Sequence, residues 1–144
     1  MDFISKLSQE FNIKPEYAGK LSFYLTAIDK QLKNYYKTYF IDDKARPTIF
    51  VSAGGGYAYS SPRESGPVAK IFNNLGYHVI VVNYREDLTE FYPEPQKFFA
   101  SIVKKYTNDS RVKTIIGLGF SAGGHNLLEV ALHKDLYGVK FDMI

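Results

Sequence analysis

Val112-Lys113-Thr114-Ile115-Ile116-Gly117-Leu118-Gly119-Phe120-Ser121-Ala122-Gly123 runs from an apolar, β-branched segment into a glycine-serine-glycine bend. Residues 122–133 then place Leu127, Leu128, Ala131 and Leu132 at helical spacing. The stretch therefore predicts a buried strand, a tight turn and a helix. The pattern G-x-S-x-G, from Gly119 to Gly123, has a physical cause. A chain that reverses from strand to helix within a few residues leaves no room for Cβ atoms two positions either side of the apex, and the apex itself is strained. A serine at that apex stands at the top of the sheet beside a helix N-terminus. Free N–H groups and the helix dipole there favour negative charge on a reacting group. Ser121 is thus a candidate nucleophile; the alternative is a serine that only caps the helix.

Working outward, Thr48-Ile49-Phe50-Val51 opens after Pro47 and closes on Gly54-Gly55-Gly56, as a strand buried on both faces does. Val68, Ile71, Phe72 and Leu75 form a helical stripe between Pro67 and Gly76. Val79-Ile80-Val81-Val82 predicts the next buried strand. Phe98, Phe99, Ile102, Val103 and Tyr106, after Pro95, predict the next helix. The order β-α-β-α-β-α implies a mostly parallel sheet with helices on both faces, joined by right-handed crossovers. Ligands of such sheets bind beyond the carboxyl ends of the strands, where loops 52–57 and 119–124 lie.

The earlier residues give weaker signals. Phe3, Ile4, Leu7 and Phe11 predict a short amphipathic helix over residues 2–11, ended by Pro15. Leu21, Phe23 and Leu25 alternate with polar neighbours as in a half-buried strand. Leu32, Tyr35, Tyr36 and Tyr39 sit at i, i+3, i+4 and i+7, which predicts a helical turn or two.

Composition excludes several classes. Lysines and arginines are mixed with acids, and the net charge is +3, so no concentrated basic face for nucleic acid is expected. No apolar run approaches the ~18 residues that span a bilayer, so no membrane role is expected. Met1-Asp2-Phe3-Ile4-Ser5-Lys6 lacks the form of a signal peptide, and the expected compartment is the cytoplasm. Without cysteine there is no disulfide and no thiolate metal site, and no metal ligand set is expected. The glycine triplet is neither a dinucleotide fingerprint, since Tyr59 stands where the third glycine is required, nor a P-loop, since no Gly-Lys-Ser/Thr follows.

Taken in order, Ser52-Ala53-Gly54-Gly55-Gly56-Tyr57, Ser61-Pro62-Arg63-Glu64, Gly76-Tyr77, Asn83-Tyr84-Arg85, Tyr92-Pro93 and Gly119-Phe120-Ser121-Ala122-Gly123-Gly124-His125 resemble the landmarks of a known group. It is the bacterial acetyl esterase and acetylxylan/feruloyl esterase-like branch of the α/β-hydrolases. The resemblance covers roughly residues 20–144. It implies hydrolysis of small carboxylic esters, often acetyl groups on sugars, with no cofactor. It implies Ser121 as nucleophile, Gly119 and Gly123 as the elbow glycines, and the amides of Gly55, Gly56 and Ala122 as the oxyanion hole. Ala53 stands where the branch usually has Pro or His. Arg63 and Glu64 are expected to form a structural ion pair.

In this fold the triad runs serine, then acid, then histidine, and the βα units that would carry the last two need ~30 residues each. Residues 1–144 are therefore expected to form a single partial domain. It comprises a helical lead-in over 1–19 and a hydrolase core over 20–144, whose C-terminal strands are missing. Lys140–Ile144 reads as the start of another strand. His125 belongs to the elbow motif, His78 to the far edge of the sheet and His133 to a helix C-terminus; Asp135 and Asp142 lie on elements unsuited to orienting a base. The chain alone is expected to be inactive or nearly so, with a separately encoded C-terminal half as the partner that would cover its open sheet edge. Two other functions stay open: a fragment of a prolyl-oligopeptidase-type serine peptidase, and a non-catalytic remnant of the fold.

Overall fold

A computed structural model of the chain describes residues 34–84 and 92–144, together with Gln9, Asn12 and Lys14. The helix expected over 2–11, the strand at 21–25, Leu32 and Arg85 lie outside the described residues.

Among the described residues, four strands form one sheet in the order β1-β3-β2-β4. They are β1 (Tyr35–Tyr39), β2 (Arg46–Ser52), β3 (His78–Asn83) and β4 (Val112–Gly119). β2 pairs in parallel with both β3 and β4, so that Ile49 lies opposite Val79 on one side and Ile116 on the other. β1 runs antiparallel to β3, with Tyr35 opposite Asn83 and Tyr39 opposite Val79.

Strand β1 corrects the helical turn expected at Tyr35, Tyr36 and Tyr39. The residues of Tyr35-Tyr36-Lys37-Thr38-Tyr39 are aromatic or β-branched at four of five positions, and such side chains suit a pleated surface. Short apolar runs satisfy both periodicities, and here the free edge of β3 decided between them.

Among the described residues, three helices of two turns or more cover the sheet: α1 (Gly66–Asn74), α2 (Glu94–Thr107) and α3 (Ala122–Leu132), with a short α4 (Lys134–Tyr137) after them. The two faces follow from strand alternation. Phe50, Ile80 and Val82 point to one face and pack with Phe99 and Val103 of α2 and Leu127 and Val130 of α3. Ile49, Val51, Val79 and Val81 point to the other and pack with Ala69, Val68 and Phe72 of α1. Burying each such side chain contributes about 1.5–3 kcal/mol before the entropy of ordering is subtracted.

The apolar stripes are narrower than their sequence suggested. Ile71 and Leu75 are 60% and 66% exposed, and Leu128 and Leu132 are exposed as well. Helix α1 seats on the sheet through Val68, Ala69 and Phe72, and the small, fully buried Ala69 lets the helix approach closely. Lys140–Ile144 forms no strand of its own. Met143 makes an isolated parallel bridge with Ile116, and Asp142 both donates its amide to the Ile115 carbonyl and accepts the Ile115 amide at 2.8 Å.

The connection out of β2 leads to β3 on one side, whereas β4 returns to the other side of β2. The carboxyl ends of β2 and β4 are therefore adjacent at the point where the strand order reverses, which is where open α/β sheets hold their ligands.

Candidate active site

Ser121 occupies the bend between β4 and α3 with φ 51° and ψ −118°, a left-handed backbone that costs a non-glycine residue about 1–3 kcal/mol. Its neighbours hold it there. The Phe120 amide donates to the Ser52 carbonyl at 3.1 Å, the Gly123 amide to the Phe120 carbonyl at 2.8 Å, and the His125 amide to the Ser121 carbonyl at 3.0 Å. A Cβ on Gly123 would stand 2.0 Å from the Ser52 carbonyl oxygen, and one on Gly119 would stand 2.6 Å from the Gly124 Cα. Both elbow glycines are thus dictated by close approach. The Ser121 side chain makes no capping hydrogen bond to α3 and is exposed, so the hydroxyl is not consumed as a helix cap.

The glycine loop after β2 lies against this bend. A Cβ built on Gly54 would meet the Phe120 carbonyl oxygen at 2.7 Å and the Ser121 Cβ at 3.1 Å. The Ser61 amide donates to the Gly54 carbonyl at 2.8 Å, and the Ala58 amide to that of Gly55 at 3.0 Å. Among the described residues, the amide groups of Gly55, Gly56 and Ala122 have no hydrogen-bond acceptor. Gly56 faces open space.

Glu64 acts differently from the expectation. Its Oε2 accepts the Gly54 amide at 2.7 Å, and no ion pair joins it to Arg63 among the described residues. The charge-assisted bond anchors the first glycine of the loop. Proximity in sequence misled because the Glu64 carboxylate is taken up by a backbone amide ten residues earlier.

Tyr57 is the residue that sequence reasoning passed over. It has φ 61°, and its ring is gathered among Tyr84, with centroids 4.9 Å apart, and His125, 5.8 Å edge-on. Its hydroxyl lies 2.7 Å from His125 Nδ1, and the Gln96 side-chain amide donates to it at 3.4 Å. Burial pushes the Tyr57 phenol up to about 12, and the Glu129 carboxylate pushes the same way against the Gln96 hydrogen bond. The phenol therefore keeps its proton at neutral pH, and because its oxygen accepts from Gln96 we assign it as donor to His125. No local pattern in the sequence pairs it with His125, 68 residues away.

The other histidines fall where expected. His78, at the start of β3 and fully buried, accepts the Ile41 amide at Nδ1 and lies 2.8 Å from the Lys44 carbonyl at Nε2, at the end of the sheet away from Ser121. His133 follows α3 and contacts the Glu129 carbonyl at 2.9 Å. No histidine is hydrogen-bonded to the Ser121 hydroxyl among the described residues. Asn126, buried on α3, donates to Ser52 Oγ at 3.3 Å and ties the helix to the end of β2. Among the described residues no helix is long and apolar enough to cross a membrane.

No protein-family model matches the chain. Endo-1,4-beta-xylanase B of Butyrivibrio fibrisolvens is 31% identical over 104 residues, 65% of this chain and 16% of that protein. Among solved structures, an acetyl ester-xyloside bifunctional hydrolase from Caldicellulosiruptor lactoaceticus is 30% identical with a TM-score of 0.53, over 65% of this chain and 36% of its own. A lipase/esterase from Lactobacillus plantarum is 28% identical with a TM-score of 0.58, over 65% of this chain and 43% of its own. The chain thus spans less than half the length of each of these relatives.

Proposed function

We propose that the chain, whose fold is that of its α/β-hydrolase structural neighbours, carries the nucleophile and oxyanion hole of a serine carboxylic ester hydrolase. The observation that carries the reading is the juxtaposition of a strained, uncapped serine with the glycine loop of the neighbouring strand.

In this reading Ser121 Oγ attacks the ester carbonyl carbon and gives up its proton to a base. The carbonyl oxygen becomes an oxyanion, which the amides of Ala122 and of Gly55 or Gly56 stabilise. The tetrahedral species collapses by breaking the bond to the alcohol oxygen, which leaves protonated, and water later hydrolyses the acyl-serine. Donors already oriented toward the developing charge need no reorganisation at the moment of reaction, and losing one typically costs ~10²–10³ in rate. His125 is not the base in this scheme: it makes no hydrogen bond to the Ser121 hydroxyl among the described residues, and a Tyr57 hydroxyl donating to Nδ1 leaves the imidazole proton on Nε2.

For the substrate we favour short acyl esters, acetyl groups on sugars among them. The support is the acetyl ester-xyloside hydrolase and the xylanase among the relatives.

The test is reaction of the chain with a fluorophosphonate, with the adduct mapped by mass spectrometry. The expected adduct is on Ser121 and disappears in Ser121→Ala. Absence of any Ser121 adduct would overturn the reading. p-Nitrophenyl acetate against longer acyl esters, peptide p-nitroanilides and acetylated xylan then separates short-chain esterase from peptidase.

A further inference from the structure

The loop that carries Gly55 and Gly56 is pinned at both ends. Glu64 accepts the Gly54 amide, and the fully buried Tyr84 donates its hydroxyl to the Tyr59 carbonyl at 2.9 Å. Between these anchors Tyr57 holds a left-handed backbone that is uncommon for a bulky residue and persists only where surroundings enforce it. Its ring supplies the enforcement, through Tyr84, Gln96 and His125. His125 has a second connection: its own amide closes the first turn of α3 onto the Ser121 carbonyl at 3.0 Å. One residue therefore holds the serine bend by its backbone and the glycine loop by its imidazole.

We propose that the Tyr57–His125 hydrogen bond is a latch that sets the glycine loop relative to Ser121, making Tyr57 and His125 positioning residues for the oxyanion hole. The inference rests on the oxyanion reading of Gly55 and Gly56. With the latch made, the tip of the loop keeps the distance from Ser121 that two converging donors require. Without it, the glycines between Gly54 and Tyr57 are free to rotate their peptide planes, and misplacement by an ångström is enough to slow a reaction substantially.

The experiment measures the second-order rate of Ser121 phosphonylation in the unmodified protein and in Tyr57→Phe, His125→Ala, the double variant and His125→Asn. Amide hydrogen exchange over residues 54–60 is read in parallel. Each single loss is expected to slow labelling about tenfold. The double variant should be no slower than the worse single, because both remove one interaction. His125→Asn, which returns an acceptor near the position of Nδ1, should recover most of the rate. Labelling of the singles at the unmodified rate, losses that multiply in the double variant, or no recovery with asparagine would each overturn the latch. If the unmodified protein is not labelled at all, the nucleophile reading fails separately. The latch is then judged by exchange alone: faster exchange at 55–57 in both singles, with Leu127 and Val130 unchanged, supports it, and unchanged exchange overturns it.

Discussion

Gly54 packs so tightly against Ser121 that a methyl group on its Cα would sit 3.1 Å from the serine Cβ. The loop of one strand and the bend of its neighbour therefore share a single contact surface, and each limits what the other can be. The parallel pairing of β2 with β4, in which Ser52 lies opposite Gly119, produces this closeness.

Gly54→Ala should damage the site while leaving the fold intact. Its new Cβ would meet the Phe120 carbonyl at 2.7 Å and Glu64 Oε2 at 2.9 Å. The carboxylate can move, but the backbone oxygen cannot move without shifting Ser121. The expected result is slower fluorophosphonate labelling with destabilisation of about 1–3 kcal/mol by urea unfolding. Labelling at the unmodified rate would show that the loop is not fixed against the bend.

Gly123 and Gly124 are neighbours with opposite tolerance. At Gly123 a Cβ would stand 2.0 Å from the Ser52 oxygen and 2.4 Å from that of Ala53, both backbone atoms at the end of β2. At Gly124 the nearest atom is at 3.5 Å, an ordinary contact. Gly123→Ala is expected to destabilise by more than the usual ~1–3 kcal/mol of overpacking or to fail to fold. Gly124→Ala, inside a helix, should be neutral or stabilising by up to about 1 kcal/mol. Thermal melts of the two variants decide the matter, and equal melting temperatures would contradict the close approach of α3 to β2.

The helix stripes give a prediction about the core. Phe99 is fully buried between the sheet and the helices, and Phe99→Ala should cost about 3–5 kcal/mol. Ile71→Ala should change stability by no more than about 0.5 kcal/mol, since Ile71 is largely exposed. Denaturant midpoints at constant slope test both, and a large loss at Ile71 would mean that its face of α1 is covered by another part of the molecule.

Much of the sheet was legible because parallel strands buried on both faces leave continuous apolar runs, as in His78–Asn83, where every residue is buried. The tight bend between β4 and α3 was legible because backbone crowding at Gly123 restricts residue type directly. Long-range side-chain pairing was not. Nothing local tells that Glu64 reaches the Gly54 amide and not Arg63, or that Tyr57 meets a histidine on α3, because those partners are fixed by how β2 and β4 dock. Strand β1 was misread for a related reason: its period fits helix and strand alike, and only the edge of β3 selects between them.

The carboxylates at the far end of the sheet predict the acid response. Asp42 accepts two hydrogen bonds from the Arg46 guanidinium, at 3.0 and 2.8 Å, and these hold its carboxyl at about 2, below the ordinary 3.8. Asp109 is held at about 2 in the same way, by the guanidinium and then the amide of Arg111. Both folded values lie below the unfolded one, so the folded state releases these protons more readily than the unfolded chain. The stability they supply is fully present above about pH 4 and is lost as pH falls through about 2. Both pairs are partly exposed, so the effect is modest and weakens with salt. Urea midpoints measured from pH 5 to pH 2 should fall, and the fall should be shallower in the Asp42→Asn, Asp109→Asn double variant. Parallel curves for the two proteins would mean that neither ion pair persists in solution.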